Sequence, residues 1–317
     1  MILIISHEQD PHAERVIRHL SASGQQVLLF NLSELPDRAT LSIEYDRHGR
    51  PQIDYLRASG AQYALHQVKS VWWRRPQIPD LSSITDPQVN LFSANEWNEA
   101  INGLWQLLDA RWMNDPTRDD AASRKARQLR VAAEVGLKVP QTLITSDPQR
   151  ALRFVNERGH GKTVYKTFSC THAIWRETRV LRPEDLAHID TVRVAPVIFQ
   201  EFVPAESDLR ITAVGGKLFT AAIRLPTKEE SVDFRMHVGD ATMCIESLPS
   251  DVHSKLLALL KCLGLEYGAI DMRRTPDGEY YFFEVNTAGE FLFVEDRTGQ
   301  PIARAIGDWL AGVTGPS

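Results

Sequence analysis

Cysteine is scarce in this chain, and its few cysteines form no framework. The three that occur are Cys170, Cys244 and Cys262, and no two of them make a CxxC pair. An odd number of widely spaced cysteines argues against the disulfide scaffold of a small secreted protein. The pattern suits a reducing compartment, so we expect a cytoplasmic protein.

Long apolar runs and an excess of positive charge are also missing. The 317 residues include 36 Lys and Arg against 41 Asp and Glu, which gives a formal net charge of −5 at pH 7. Without a global positive field, neither nucleic acid nor an anionic membrane surface is an expected partner. The most apolar later run, 256–265, is interrupted by Lys261, and the apolar first residues lack the basic flank of a signal peptide. We therefore expect no membrane span.

A GxGxxG dinucleotide fingerprint is absent, although the chain begins with a βαβ pattern. Residues 1–5 are apolar, residues 13–20 place apolar side chains at helical spacing, and residues 27–30 are apolar again. This order predicts a parallel sheet with a crossover helix, but not a typical dinucleotide fold.

The rest of the pattern predicts an α/β part followed by α+β parts. Apolar residues recur every three or four positions over 91–112, which predicts a long amphipathic helix packed on the N-terminal sheet. A turn at Asn114-Asp115-Pro116 marks a boundary before a second helix over 121–135. The further predicted strands are 41–45, 52–56, 68–73, 141–145, 163–168, 178–180, 197–202, 209–214, 217–224, 267–273 and 280–286, and the further helices are 148–158 and 252–263. We therefore divide the chain into residues 1–115, 116–203 and 204–317.

Three oxygen-bearing side chains come together on the last predicted hairpin. Asp271 lies on one strand, and Glu284 and Asn286 share a face of its partner strand because side chains alternate along a strand. Carboxylates are costly to bury in such an apolar setting unless a cation neutralises them. An all-oxygen set suits Mg²⁺ that also holds phosphate oxygens, whereas the alternative is a charged edge of an exposed hairpin.

Two lysines precede this set. Lys166 lies on an otherwise apolar strand, where its charge requires an anionic partner, and Lys125 lies on the helix before it. A single lysine of this kind is usually a surface residue, but two lysines upstream of three Mg²⁺-type ligands favour a phosphate site.

In this order of residues, the segment from about 115 to 300 resembles the ATP-grasp carboxylate ligases. The resemblance implies ATP and two Mg²⁺ as cofactors, with Asp271, Glu284 and Asn286 as the metal ligands. It further implies that Lys125 and Lys166 hold the ATP phosphates, that the hinge Gln200-Glu201-Phe202-Val203 meets adenine, and that Asp208 contacts the ribose. Arg210 and Arg224, on the strands after the hinge, are candidates to steady the phosphoryl group or the substrate carboxylate; the alternative for each is a surface charge.

A narrower resemblance, to the microviridin-type ATP-grasp peptide maturases (the graspetide family), extends over nearly the whole chain. The matching segments are Val71-Trp72-Trp73-Arg74-Arg75-Pro76, Asp208-Leu209-Arg210, Phe283-Glu284-Val285-Asn286-Thr287-Ala288-Gly289-Glu290 and Glu295-Asp296-Arg297-Thr298-Gly299-Gln300-Pro301-Ile302. This likeness implies an ATP-grasp fold with an N-terminal α/β pre-ATP-grasp domain, a central lid subdomain and a C-terminal antiparallel-sheet subdomain. It also implies a homodimer that joins side chains of a ribosomal precursor peptide with a leader segment through ester or amide bonds.

Two alternatives remain open, and one departure from the ATP-grasp pattern stands out. The same ATP and metal residues would serve a ligase that joins an amine to a small carboxylate, and a nucleotide-binding regulator without turnover is the third reading. The segment 169–172 has no glycine where many ATP-grasp ligases carry a glycine-rich phosphate loop. No general base is evident, because His172 and His237 are lone histidines in loop-like segments.

Overall fold

The computed structural model describes residues 1–159, 161–168, 178–225, 239 and 241–313. Within these residues the strands form four sheets. The predicted mixed α/β and α+β architecture is confirmed. In the same part of the chain, no helix has both the length and the apolar character needed to cross a bilayer.

The N-terminal part is a parallel sheet with an antiparallel appendage. Its elements are β1 (Ile2–Ile5), α1 (Pro11–Ala22), β2 (Val27–Phe30), β3 (Ala39–Tyr45), β4 (Pro51–Arg57), β5 (Gln62–Ala64), β6 (Ser70–Trp73), α2 (Pro87–Leu107) and β7 (Arg111–Met113). Strand order is β2-β1-β6-β7, all parallel, and β3-β4-β5 form the antiparallel sheet. Helix α1 begins where the Asp10 side chain accepts the His12 N–H and proline fills the first helical position, so its start follows from local sequence.

The central part carries a small antiparallel sheet. Its elements are α3 (Pro116–Ser123), α4 (Lys125–Glu134), β8 (Thr142–Thr145), α5 (Pro148–Arg158), β9 (Thr163–Lys166), β10 (Arg179–Val180) and β11 (Val197–Glu201). The strand order is β10-β9-β11-β8. Helix α5 packs its apolar side, including Phe154 and Val155, against this sheet.

The C-terminal part is a five-stranded antiparallel sheet followed by two helices. Its elements are β12 (Ser207–Val214), β13 (Lys217–Arg224), β14 (Thr242–Ile245), α6 (Ser250–Leu263), β15 (Tyr267–Arg274), β16 (Tyr280–Asn286), α7 (Leu292–Thr298) and α8 (Ile302–Ala311), and the strand order is β14-β13-β12-β15-β16. One face of the sheet, with Leu209, Ile270 and Val285, packs on α6. The other face carries polar side chains and packs Val214, Ala221 and Tyr267 against α7 and α8.

Several predicted elements need correction. The predicted helix over 91–112 begins earlier, at Pro87, and ends at Leu107, because Arg111–Met113 instead pairs with β6. The predicted single helix over 121–135 is two helices, since Arg124 has an extended backbone between α3 and α4. Strand β5, strand β14 and helices α7 and α8 were not predicted. The β13, β16 and α5 boundaries agree with the prediction to the residue.

Candidate active site

A row of charged residues crosses the C-terminal sheet on the face opposite α6. Arg210 of β12 pairs directly with Asp271 of β15, and Asp271 pairs with Glu284 of β16. Directly paired residues on neighbouring strands point to the same face, so the three side chains converge. Asn286, two residues beyond Glu284, lies on that face as well.

Each carboxylate in this row contacts a cationic side chain. Arg210 Nη1 donates to Asp271 Oδ1 at 2.8 Å, and both side chains are largely buried. Lys125 Nζ donates to Glu284 Oε2 across the boundary between α4 and β16. Buried charges are tolerated only when they are paired and hydrogen-bonded, so these contacts explain how the apolar sheet accommodates two carboxylates.

Helix α4 holds strand β16 through a second side chain, Gln128. This buried amide accepts from the Val285 N–H at 3.0 Å and donates to the Val285 carbonyl at 2.8 Å. Gln128 follows Lys125 by three residues and therefore lies on the same side of the helix. One face of α4 therefore neutralises the Glu284 carboxylate and holds the backbone between Glu284 and Asn286 in place.

The loop at 287–290, directly after Asn286, is held by side chains from the N-terminal and C-terminal parts of the fold. All four of its backbone carbonyls accept a side-chain hydrogen bond. The donors are Asn114 to Thr287 (3.4 Å), Arg74 to Ala288 and to Gly289 (2.9 Å to the latter), Tyr267 to Gly289 (2.7 Å) and Arg210 to Glu290 (2.9 Å). Arg210 therefore connects this loop to the charged row, since it also donates to Asp271.

Arg74 brings the N-terminal part into the site. Its side chain is fully buried, and its Nε donates to Asp10 Oδ2 at 3.2 Å. Burial raises the pKa of Asp10, but the Arg74 guanidinium and the Ser6 hydroxyl lower it by more, so that the pKa lies below its usual value. Burial, followed by the Arg74 charge, lowers the pKa of the neighbouring His12 to about 4, so this histidine is neutral at pH 7.

Asp208 and the predicted hinge meet through another buried arginine. Arg273 Nε donates to Asp208 Oδ1 at 2.8 Å, and Arg273 Nη1 donates to the carbonyl of Val203 at 2.8 Å. Within the hinge, Gln200 is buried and donates to Thr142, and Glu201 accepts from the Gln141 N–H. Asp208 and the segment 200–203 are thus joined, and their predicted contacts with ribose and adenine stay predictions.

The remaining predicted residues lie farther apart. Lys166 is on β9 of the central sheet, opposite Ile198. Arg224 pairs with Thr242 of β14. It follows Ile223, which pairs with Asp208 and shares the face of Arg210, so Arg224 points to the opposite face. There it contacts Cys244 Sγ at 3.3 Å and Glu246 at 3.6 Å. The structure does not bring Arg224 to the charged row, and Cys170, His172 and His237 lie outside the described residues.

The chemistry of the donor set fits Mg²⁺. Asp271, Glu284 and Asn286 offer only oxygen ligands from two neighbouring strands, as a hard cation requires. Within the described residues, no group of three or more His, Cys, Asp or Glu side chains is placed to hold a metal ion. The proposed set is of another kind, because its third ligand is the amide of Asn286. Such a set holds a cation jointly with phosphate oxygens rather than enclosing it.

Positive and oxygen-bearing groups on one sheet face are an arrangement for phosphoryl transfer. The transferring group spreads negative charge over its oxygens, and fixed cations stabilise that charge. The structure brings Lys125, Arg210 and the oxygen set together, and their roles stay predictions. Sequence reasoning gave Arg74 and the segment 287–290 only within matching segments, and it missed Gln128, which holds Val285. The helical spacing from Lys125 was the available signal for Gln128.

Comparisons with known proteins show the family to which the chain belongs. Residues 1–120 match the family model of the MvdD pre-ATP grasp domain, and residues 122–310 match that of the RimK-like ATP-grasp domain. The chain is similar to the macrocyclase MdnC of Microcystis aeruginosa MRC, solved bound with precursor peptide MdnA, at 28% identity and a TM-score of 0.86 over 98% of this chain and 99% of that chain.

A second solved structure and a further relative are similar as well. The structure is a RiPP-associated ATP-grasp ligase of Chryseobacterium gregarium in complex with ADP and a leader and core peptide, at 27% identity and a TM-score of 0.89 over 99% of this chain and 97% of that chain. The relative is the probable alpha-L-glutamate ligase 2 of Shewanella amazonensis, at 24% identity over 255 residues, which are 78% of this chain and 83% of that protein.

Proposed function

The chain belongs to the RimK-like ATP-grasp family, and from that premise we propose that it joins side chains of a ribosomal precursor peptide through ester or amide bonds. The ATP-grasp fold and the ligase class predicted from sequence are confirmed. The proposal of a peptide substrate rests on one observation. The chain is similar over nearly its full length to two peptide-bound enzymes, at 28% and 27% identity.

The charged row supplies the chemistry that such a reaction needs. A substrate carboxylate accepts the γ-phosphoryl group, and a hydroxyl or amine then attacks the acyl phosphate, losing its proton as phosphate leaves. Arg210 stabilises the phosphoryl oxygens. Lys125, which contacts Glu284, neutralises part of the charge of the phosphates. Asp271, Glu284 and Asn286 would hold Mg²⁺, which would supply further positive charge at the phosphates. The ATP-grasp ligase PsnB has been solved with Mg and ADP.

The other roles in the site follow the same scheme. We assign Lys166 to the phosphates, the segment Gln200-Glu201-Phe202-Val203 to adenine, and Asp208 to the ribose edge through its link to Arg273. Arg224 is a weaker candidate for the phosphoryl group because it points to the opposite sheet face. The proposed enzyme is a cytoplasmic homodimer, organised as domains 1–115, 116–203 and 204–317, that recognises a leader segment apart from the reacting residues.

A ligase that acts on a small amine is the second candidate. The relatives named probable glutamate ligases favour it, although their identity to this chain is 21–25%. In both candidates the charged row has the same task, so the pocket that receives the acceptor decides between them.

The test is the intact mass of the peptide encoded beside this gene after incubation with the enzyme, ATP and Mg²⁺. We expect the peptide to lose the mass of one water for each bond formed, and we expect no loss with the Asp271→Asn variant. An unchanged peptide mass, together with ATP hydrolysis stimulated by glutamate, would instead favour the small-molecule ligase.

A further inference from the structure

The carboxyl edge of the N-terminal parallel sheet opens into a polar cavity of about 650 Å³. The cavity is built by the residues that follow three strands: His7 and Glu8 after β1, Asn31 after β2, and Arg75 after β6. A cavity of this volume accommodates one or two side chains of a peptide.

The sheet order makes this edge a natural binding place. Strand β1 lies between β2 and β6, and the chain leaves β1 toward β2 and later returns on its other side to form β6. The loops after β1 and β6 therefore diverge, and open α/β sheets bind ligands in the crevice at such a switch point.

The cavity adjoins the charged row through a single residue, Glu290. Its side chain lines the cavity and pairs with Arg75 at 2.9 Å, while its backbone carbonyl accepts from Arg210 at 2.9 Å. Arg210 in turn contacts Asp271. A group seated in the cavity therefore lies one residue away from the proposed phosphoryl site.

Two guanidinium groups give the cavity its selectivity. Arg38 is exposed, and its Nη2 donates to the neutral carbonyl of Ser33 at 3.2 Å. Its guanidinium makes no direct ion pair within the described residues, although its charge acts from farther away on the exposed Asp80 carboxylate, whose pKa is lowered by hydrogen bonds from Ser82 and also by Arg38. The Arg75–Glu290 pair is at the surface, and a pair of this kind exchanges readily for a carboxylate of the substrate. Glu8 is engaged by the Asn31 amide at 2.8 Å.

A second cavity, of about 730 Å³, continues from the first. Ser33 and Gln77 line both cavities, and the walls of the second include Trp73, Trp97 and Trp105 between α2 and the segment 76–82. The two cavities therefore adjoin, and together they form a path from an aromatic pocket to Glu290, whose carbonyl accepts from Arg210.

We propose that this path seats the core segment of the precursor peptide, with an acidic side chain of the core held by Arg38 and Arg75 and a neighbouring large apolar side chain held in the aromatic pocket. The inference rests on the proposed function. It adds that the enzyme selects a core segment in which an acidic residue neighbours a large apolar residue. It assigns the N-terminal part to the reacting segment of the peptide, not to its leader.

The test combines a photo-crosslink with kinetics, using the peptide that the wild-type enzyme dehydrates. A photoreactive benzoylphenylalanine replaces Gln77, which both cavities share, and the matched control carries it at the exposed Gln62 of β5. We expect crosslinks from position 77 to fall within the core segment and position 62 to give none.

In the kinetic arm, Arg38→Gln is compared with Arg47→Gln, an exposed arginine in the turn between β3 and β4. Loss of a charge-assisted contact raises the KM for the peptide about tenfold while kcat and the KM for ATP stay unchanged. Arg47→Gln should behave as wild type.

The two failures are distinguishable. If the wild-type enzyme dehydrates the peptide but Arg38→Gln matches Arg47→Gln and position 77 crosslinks to the leader or to nothing, the cavity assignment is wrong and the proposed function stands. If the wild-type enzyme dehydrates no peptide, the proposed function has failed and the cavity assignment is overturned with it.

Discussion

At the scale of single residues, the fold depends on a buried guanidinium. Arg74 is fully buried, donates to two carbonyls of the loop 287–290 and pairs with the equally buried Asp10. Removing one partner of such a pair leaves a buried charge without compensation. We predict that Arg74→Ala lowers the free energy of unfolding by about 3–5 kcal/mol in urea titrations. Arg75→Ala, which breaks only a surface pair, should lower it by no more than about 1 kcal/mol, and equal losses would contradict the prediction.

His12 makes the stability of the protein depend on pH. Its ring is buried against Phe291, and burial with the nearby Arg74 charge lowers its pKa from 6.5 to about 4. The folded state therefore binds the proton less well than the unfolded state. This contribution is complete above pH 6.5 and is lost as the pH falls toward 4, by about 3 kcal/mol in total.

Urea titrations between pH 7 and pH 4 measure this dependence. We predict a smaller loss of stability for His12→Phe than for the wild type, because phenylalanine keeps the edge-to-face contact and does not titrate. His48→Gln, at an exposed turn, should lose as much as the wild type. Parallel curves for His12→Phe and the wild type would show that His12 does not carry the effect.

Glu284 is the residue on which the proposed metal site depends most directly. Glu284→Gln keeps the size of the side chain but removes its charge, and we predict a fall in ATP-dependent product formation of about 10²–10³-fold while the fold is preserved. The matched control is Glu279→Gln on the same hairpin, where the carboxylate pairs with Lys138 at the surface. Undiminished turnover of Glu284→Gln would refute the metal assignment.

At the scale of elements, the loop after β16 has no space for a side chain at Gly289. A Cβ placed there would lie 2.3 Å from the Ala269 Cβ and 3.0 Å from Arg210 Nη2. We predict that Gly289→Ala displaces the loop and costs about 1–3 kcal/mol of stability together with most of the turnover. Gly103→Ala, in open space within α2, should instead stabilise the protein by about 0.5–1 kcal/mol. Thermal unfolding and turnover measurements on the two variants test this prediction, and a Gly289→Ala variant as stable and active as the wild type would contradict it.

The elements also show what local sequence can and cannot predict. Glu284 and Asn286 were predicted to share one face of β16 because the alternation of side chains along a strand is a local rule. The two-residue turn Gly215-Gly216 pairs Val214 with Lys217. Counting along β12 and β13 from that turn puts Arg224 on the opposite face from Arg210, so the turn alone was enough to separate the two arginines. The helix prediction ran on to residue 112 because the apolar spacing continued, whereas pairing with β6 draws that segment into a sheet.

Contacts between distant residues were beyond prediction for the same physical reason. Arg74 meets Ala288 over a separation of 214 residues, and Gln128 meets Val285 over 157. Helical spacing places Gln128 beside Lys125, but it does not show that Gln128 meets Val285. Both contacts depend on how the parts of the chain pack, and a single sequence does not reveal that packing.

At the scale of the whole molecule, the C-terminal helices join the first and last parts of the chain. Arg15 pairs with Glu295, His19 contacts Asp308, and the Ser70 hydroxyl donates to the carbonyl of Leu310. Helices α1 and α8 also share one apolar core with Tyr267 of the C-terminal sheet. The N-terminal part is therefore held against the charged row, which allows Arg74 and Arg75 to take part in the site.

Helix α2 begins with an apolar surface that the described residues leave exposed. Leu91 and Phe92 are each 64% exposed, and Phe92 borders a hollow lined by Leu41 and Ile43 of β3. Contiguous apolar surface of this kind marks interaction sites on proteins. We predict that this surface forms the homodimer contact.

Light scattering across a concentration series tests the dimer. The wild-type protein should have twice the mass of the chain, and the double variant Leu91→Arg, Phe92→Arg should have the mass of one chain, because burying two arginines at the contact is costly. Leu56→Arg, at an exposed apolar position of β4, should stay dimeric. The monomeric variant should retain ATP hydrolysis, since the residues of the charged row all belong to one chain; a wild-type monomer or a dimeric double variant would overturn the assignment.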